Sequence, residues 1–164
     1  MSSRNYGLFV HDEVGNYVPA SEDHIISCAK CALELQMKRG PVMNSPQMVK
    51  DYLTVKIGNL DHEVFCVVFV DAQHAVIECQ EMFRGSLTQT SVYPREVVKE
   101  ALKLAAAGVV FAHNHPSGVL TPSRADEMLT NTLKSALQLV DVRVLDHIIV
   151  GAGGSLSFAE RGLL

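Results

Sequence analysis

The sequence predicts an α/β fold in which a mixed central β-sheet is flanked by helices. Helical and strand patterns alternate along the chain, and hairpin patterns at two places add antiparallel pairs. The apolar run Val64–Val70 has the unbroken hydrophobicity of a strand that is covered on both faces. A length of 164 residues suits one globular domain with at most a small appendage.

The first part of the chain is predicted to contain an irregular segment followed by two helices. Residues 1–20 carry Gly, Asn and Pro without periodicity, which predicts a loosely ordered arm or a short hairpin. Ser21 is a favourable N-cap for a first helix. Pro46 suits the first turn of a second helix, and Gly58 ends it.

The rest of the chain alternates strands with helices. In order, the pattern predicts strands at 64–70 and 75–83, a helix that begins at Pro94, a strand at 109–112, a helix at 122–140, and strands at 143–150 and 155–158. Residues 113–118 form a loop directly after an internal strand. Because α/β folds place their functional sites at such strand ends, this loop is the candidate position of a site.

Composition excludes several classes of protein. The chain has 14 Lys and Arg residues against 18 Asp and Glu residues, a formal net charge of −4. This balance provides no strong basic footprint for a nucleic acid. The apolar runs are much shorter than the ~20 residues that span a bilayer, and the N-terminal stretch lacks a signal-peptide pattern. We therefore expect a cytoplasmic protein without a membrane partner.

Two pairs of side chains that could be reactive, Cys28 with Cys31 and Asp146 with His147, are interpreted as structural. Four cysteines are too few and too scattered for a disulfide scaffold. Cys28 and Cys31 have the C-x-x-C spacing of a redox or zinc site, but they lie inside the first helix and no second ligand pair follows. Asp146 and His147 lie in a predicted strand between apolar residues, which favours a hydrogen-bonded structural histidine over a dyad.

Two histidines and one aspartate have the spacing of a metal site. His113 and His115 alternate across one residue, and extended backbone places both rings on one side. Asp126, in the first turn of the next helix, adds an oxygen ligand, and such a set leaves zinc an open position for water. Ser123 and Asp126 equally match a capping box, in which a helix start explains both residues. The residues alone leave both interpretations open.

Several linked motifs resemble one family. The string His113-x-His115, seven residues, then Ser123-x-x-Asp126 is similar to the JAMM (MPN+/JAB) metalloprotease signature. Together with Leu145-Asp-His147 and the closing segment 157–164, it resembles the RadC-type JAB domain over about residues 45–164. The resemblance implies a JAB/MPN fold of cytidine-deaminase-like architecture for residues 44–164. It leaves residues 1–43 as an N-terminal arm and accessory helix.

The resemblance also implies one zinc ion, held by the three candidate ligands. In this family a glutamate at the start of the strand after the first core helix is the general acid/base, and Glu63 has that position. The residues alone do not choose it, because Glu78 and Glu81 lie on the next predicted strand. Ser123 matches the family serine whose hydroxyl stabilises the oxyanion.

The implied function is a zinc-dependent metallohydrolase that cleaves peptide or isopeptide bonds with a zinc-activated water. The alternative is a DNA-repair-associated accessory or binding protein of the RadC family. Asn114 stands where the eukaryotic deubiquitinating members have Ser or Thr, and residues 1–43 are too short and not basic enough for the helix-hairpin-helix region of RadC proteins. The expected partner is a peptide or protein substrate of unknown identity, and a homodimer stays open.

Overall fold

The computed structural model describes residues 7–38, 46–85 and 92–164. Its elements, in chain order, are β1 (Phe9–His11), β2 (Tyr17–Pro19), α1 (Glu22–Lys38), α2 (Pro46–Ile57), β3 (Val64–Val70), β4 (Val76–Arg84), α3 (Pro94–Lys103), β5 (Gly108–Asn114), α4 (Arg124–Gln138), β6 (Arg143–Gly151), β7 (Gly154–Ser157) and α5 (Phe158–Arg161). Within these three ranges, no helix combines the length and the apolarity that a membrane span requires.

Five strands form the central sheet, in the order β4-β3-β5-β6-β7. β5 and β6 run parallel, and the other neighbouring pairs are antiparallel. A parallel pair needs a crossover connection, and α4 provides it. Residues of α1 and α2 pack on one face of the sheet, and residues of α3 and α4 pack on the other. The predicted fold class, a mixed sheet flanked by helices, is confirmed.

Side-chain alternation explains why the central strands are apolar along their whole length. All seven residues of β3 are buried. Its even-numbered side chains pack with α2, whereas its odd-numbered side chains pack with α3 and α4. The same alternation in β5 places Phe111 and His113 on the face that α4 covers, and Asn114 on the face that α2 covers.

Several element boundaries differ from the sequence prediction by one or two residues, and two of these differences have a clear physical reason. β5 extends through Asn114 rather than ending at residue 112, because its last residues still pair with β3 and β6. Polar residues at the end of a strand have the composition of a loop, although the backbone pairing of the strand continues through them. The last predicted strand ends at Ser157, and Phe158 begins the short helix α5, for which the Ser157 side chain accepts from the Glu160 N–H.

The N-terminal segment consists of a short hairpin and helix α1, which packs against α2. β1 and β2 form an antiparallel pair, so the hairpin alternative of the prediction is confirmed for residues 9–19. α1 contributes Leu33 to the apolar cluster that α2 forms with the sheet. The predicted domain boundary between residues 43 and 44 lies outside the described residues.

Candidate metal centre

The predicted ligands lie where β5 ends and α4 begins. His113 is buried near the end of β5, on the face that α4 covers. His115 follows the strand, but its backbone N–H still donates to the Val150 carbonyl oxygen at 2.8 Å. The backbone therefore stays extended through both histidines, and both rings lie on one side, as their spacing predicts.

The first turn of α4 supplies the aspartate. Ser123 is the N-cap, and it forms a reciprocal capping box with Asp126. The Ser123 N–H and hydroxyl both donate to Asp126 Oδ2, each at 2.7 Å. The other oxygen, Oδ1, lies 3.3 Å from His113 Nε2. The capping box and the ligand cluster, which the sequence presented as alternatives, thus share one carboxylate.

The three side chains converge on one point. His113 Nε2 lies 2.9 Å from His115 Nε2, which lies 3.7 Å from Asp126 Oδ2. One ligand atom from each of the three side chains lies within 4.8 Å of the others. Two imidazole nitrogens and a carboxylate oxygen are ligands that zinc accepts, so this group could hold a metal ion.

The hydrogen bonds around the cluster suit a cation at this point. His115 Nδ1 lies 2.6 Å from the Val119 carbonyl oxygen, which has no proton to donate. Nδ1 therefore carries the ring proton, and the Nε2 lone pair faces the cluster, as in metal-binding histidines. Burial opposes ionisation of Asp126, yet the pKa of this carboxyl lies well below its ordinary value of 3.8, and the hydrogen bonds that it accepts from the Ser123 N–H and hydroxyl contribute to this lowering.

A close approach of two backbone segments positions the loop that fixes His115. Gly118 has a φ of +77°, a left-handed conformation that glycine adopts without strain. Gly151 ends β6 beside this loop, and a Cβ built on it would lie 3.0 Å from the Gly118 carbonyl oxygen and 3.0 Å from Leu120 Cδ2. The absence of a side chain at Gly151 therefore lets the loop that carries Val119 pack against β6.

Glu63 lies directly before β3 and lines a small cleft beside the cluster. The cleft has a volume of about 50 Å³, and His113 and Asp126 also line it. Glu78 and Glu81, the other carboxylates that the sequence left open, are exposed on β4 and do not line this cleft. Of these three glutamates, the structure brings Glu63 to the predicted ligands.

Asn114 is fully buried and holds the segment that leads into β3. Its Oδ1 accepts from the Val64 N–H at 2.8 Å, and its Nδ2 donates to the His62 carbonyl oxygen at 2.9 Å. A longer contact, 3.4 Å, joins Nδ2 to the Leu60 carbonyl oxygen. These bonds fix the backbone on both sides of Glu63. Sequence reasoning missed this role, because the partners lie 50 or more residues away along the chain.

His147 contacts a predicted ligand, which sequence reasoning also missed. The ring is completely buried, and its Nε2 lies 2.9 Å from His113 Nδ1. Asp146 forms no dyad with this ring, since its carboxylate accepts from the Ser157 hydroxyl and from backbone N–H groups. The prediction that His147 is a hydrogen-bonded histidine is therefore correct, but its partner is His113, a member of the ligand cluster. This contact follows from the parallel pairing of β5 with β6. His147 lies opposite Phe111, and His113 is two residues further along β5 on the same face.

Comparison with known proteins identifies close relatives. A UPF0758 protein of Leptothrix cholodnii is 60% identical over 140 residues, which cover 85% of this chain and 63% of the relative. UPF0758 proteins of Nitrosomonas eutropha and of a Polaromonas species are 57% and 58% identical over 85% of this chain and 62% of their own lengths. The chain thus spans less than two thirds of the length of these curated relatives.

A family model gives the same assignment for the main domain. The model, described as the RadC-like JAB domain, matches residues 43–163. This match includes the whole five-stranded sheet, the three predicted ligands and the segment that carries Glu63. From the matched length and the identity to its relatives, the chain belongs to the RadC-like JAB domain family.

Proposed function

We propose that this chain is a zinc-dependent metallohydrolase that cleaves peptide or isopeptide bonds. The observation that carries the proposal is the convergence of His113, His115 and Asp126 beside a cleft that Glu63 also lines. Two nitrogen ligands and one oxygen ligand leave a tetrahedral zinc one open position, which is the pattern of catalytic rather than structural zinc sites.

The roles of the protein side chains follow from their positions. A zinc ion bound here would act as a Lewis acid and would lower the pKa of a water molecule towards ~7. Glu63 accepts the proton of the attacking water and delivers it to the leaving nitrogen, as a general base and then a general acid. Ser123 is exposed at the same helix start. Its hydroxyl donates to Asp126, so an oxyanion role requires that proton to turn toward the substrate.

The first experiment tests metal and activity together. Elemental analysis of the purified chain is expected to find about one zinc per chain. A peptide-library screen, with isopeptide-linked substrates included, is expected to show cleavage that a chelator abolishes and added zinc restores. Binding of DNA that weakens with rising salt, without cleavage of any substrate, would favour the accessory role in DNA repair instead.

A substitution at Glu63 distinguishes the role of general base from that of metal ligand. Glu63→Gln is expected to keep the zinc content and to lower kcat by about 10²- to 10⁴-fold, because the amide cannot accept the proton. Glu78→Gln, an exposed glutamate on β4, is the matched control and is expected to keep full activity. An active Glu63→Gln variant would show that Glu63 is not the base.

A further inference from the structure

A chain of hydrogen bonds runs behind His113 into the core. His113 Nδ1 lies 2.9 Å from His147 Nε2, and His147 Nδ1 lies 2.6 Å from Thr130 Oγ1. Thr130 Oγ1 in turn lies 2.6 Å from the backbone carbonyl oxygen of Asp126, one turn earlier in α4. Thr130 and His147 are both buried, and three phenylalanine rings pack around His147.

One arrangement of protons satisfies every contact in this chain. The Asp126 carbonyl oxygen carries no proton, so the single hydroxyl proton of Thr130 lies on that contact. Thr130 Oγ1 therefore accepts from His147 Nδ1–H. His147 is completely buried against three phenylalanine rings, where a charged imidazolium is unfavourable, so this ring is neutral and its Nε2 is an acceptor. His113 Nδ1 must then be the donor to it.

We propose that Thr130 and His147 are positioning residues that fix His113 in its Nδ1–H tautomer and thereby direct its Nε2 lone pair at the cluster. The Nε2 lone pair of His115 faces the same point, because the Val119 carbonyl fixes that ring. Two nitrogen lone pairs 2.9 Å apart are stabilised by a cation that they share. The inference rests on the metal site of the proposed function and requires no hydrolysis.

The test removes the hydroxyl at the inner end of this chain. Thr130→Val keeps the branched shape of the side chain but leaves His147 Nδ1–H without an acceptor. The opposite tautomer of both rings is then favoured, and His113 Nε2 carries a proton in place of its lone pair. We expect zinc affinity, measured by competition with a chromogenic chelator, to fall by about 10- to 100-fold. Thr130→Ser retains the hydroxyl and is expected to restore the affinity.

Thr132 offers a matched control on the same helix. Its hydroxyl also donates to the carbonyl oxygen four residues earlier, that of Met128 at 2.8 Å, but it lies on the exposed side of α4. Thr132→Val is therefore expected to bind zinc like the wild type. Long-range ¹⁵N–¹H spectra of the metal-free protein at about pH 8, where an ordinary histidine is neutral, report the tautomers directly. We expect Nδ1–H on His113 in the wild type and Nε2–H in Thr130→Val.

The outcomes separate this inference from the proposed function. An Nε2–H tautomer of His113 in the metal-free wild type overturns the inference, and so does a Thr130→Val variant that binds zinc as tightly as Thr132→Val. If the tautomers are as expected but the wild type binds no zinc, the positioning role stands and the metal site of the proposed function fails. If zinc binds as expected and no substrate is cleaved, the hydrolase proposal fails alone.

Discussion

The two carboxylate oxygens of Asp126 have different partners. Oδ2 accepts from the N-cap residue Ser123, and Oδ1 lies 3.3 Å from His113 Nε2. The hydrogen bonds from Ser123 favour the ionised carboxylate, and the pKa of Asp126 is low although the side chain is partly buried. One residue therefore begins α4 and completes the ligand cluster, so its replacement affects the stability of the helix and the ligand set together.

The low pKa of Asp126 makes stability depend on pH. A carboxyl whose pKa is lower in the folded state than the ordinary 3.8 contributes stability that is fully present above that value and is lost as the pH falls through the folded pKa. We expect Asp126→Asn to lower the melting temperature of the metal-free protein at about pH 5, with the difference from the wild type shrinking as the pH falls below 3.8. Calorimetry with a chelator present measures this.

Glu127 is the control for Asp126, because it is exposed in the same first turn of α4. Glu127→Gln removes the same charge near the helix N-terminus and leaves the contact with His113 intact. Its melting temperature is expected to stay within a few degrees of the wild type at every pH. A difference between Asp126→Asn and the wild type that stays constant down to about pH 2 would contradict the assigned pKa.

At the scale of elements, Asn114 joins the end of β5 to the segment before β3. Its three contacts reach the backbone of residues 60–64, so its replacement removes hydrogen bonds from the buried Val64 N–H and from two partly buried carbonyl groups. We expect Asn114→Leu, which has a similar volume, to lower the free energy of unfolding by about 1–3 kcal/mol for each group left unpaired. Urea denaturation measures this loss, and hydrogen exchange of the Val64 amide is expected to become faster.

Asn131→Leu is the matched control, since Asn131 is exposed on α4. It is expected to change the free energy of unfolding by no more than about 0.5 kcal/mol, as surface substitutions usually do. Unchanged exchange of the Val64 amide in Asn114→Leu would show that the asparagine side chain does not hold this segment.

Sequence reasoning found the elements whose signals are local and missed contacts that depend on register. Val64–Val70 was predicted with its correct bounds, because a strand that is covered on both faces is apolar throughout. The end of β5 was missed because His113 and Asn114 are polar, although distant partners satisfy them. The contact of His147 with His113 joins residues 34 positions apart, and it depends on how β6 aligns with β5.

At the scale of the whole molecule, Cys66 reports the integrity of the sheet. It lies in β3 with no exposed surface, and burial raises the pKa of its thiol to about 12. Cys28 and Cys31 are exposed on α1. We expect an alkylating reagent to modify Cys28 and Cys31 rapidly and Cys66 at least about 10³-fold more slowly, because Cys66 reacts only when the protein unfolds. Mass spectrometry of the time course measures these rates.

Denaturant and a cysteine variant complete this experiment. The rate at Cys66 is expected to rise with urea in parallel with the unfolding transition, whereas the rates at the two α1 thiols are expected to change little. The Cys66→Ala variant is expected to lack the slow modification, which would assign that modification to Cys66. Modification of Cys66 at the rate of the exposed thiols in native conditions would contradict a closed sheet.

The three predicted ligands and both positioning residues fall between residues 113 and 147, within the β5–α4–β6 crossover. Glu63 comes from outside this unit, immediately before β3. Under the proposed function, capturing the ion and accepting the proton are thus assigned to separate parts of the chain. The proposed site is therefore complete only where β3 pairs with β5, a pairing that sets Phe65 opposite His113, so opening the sheet at this seam would abolish hydrolysis.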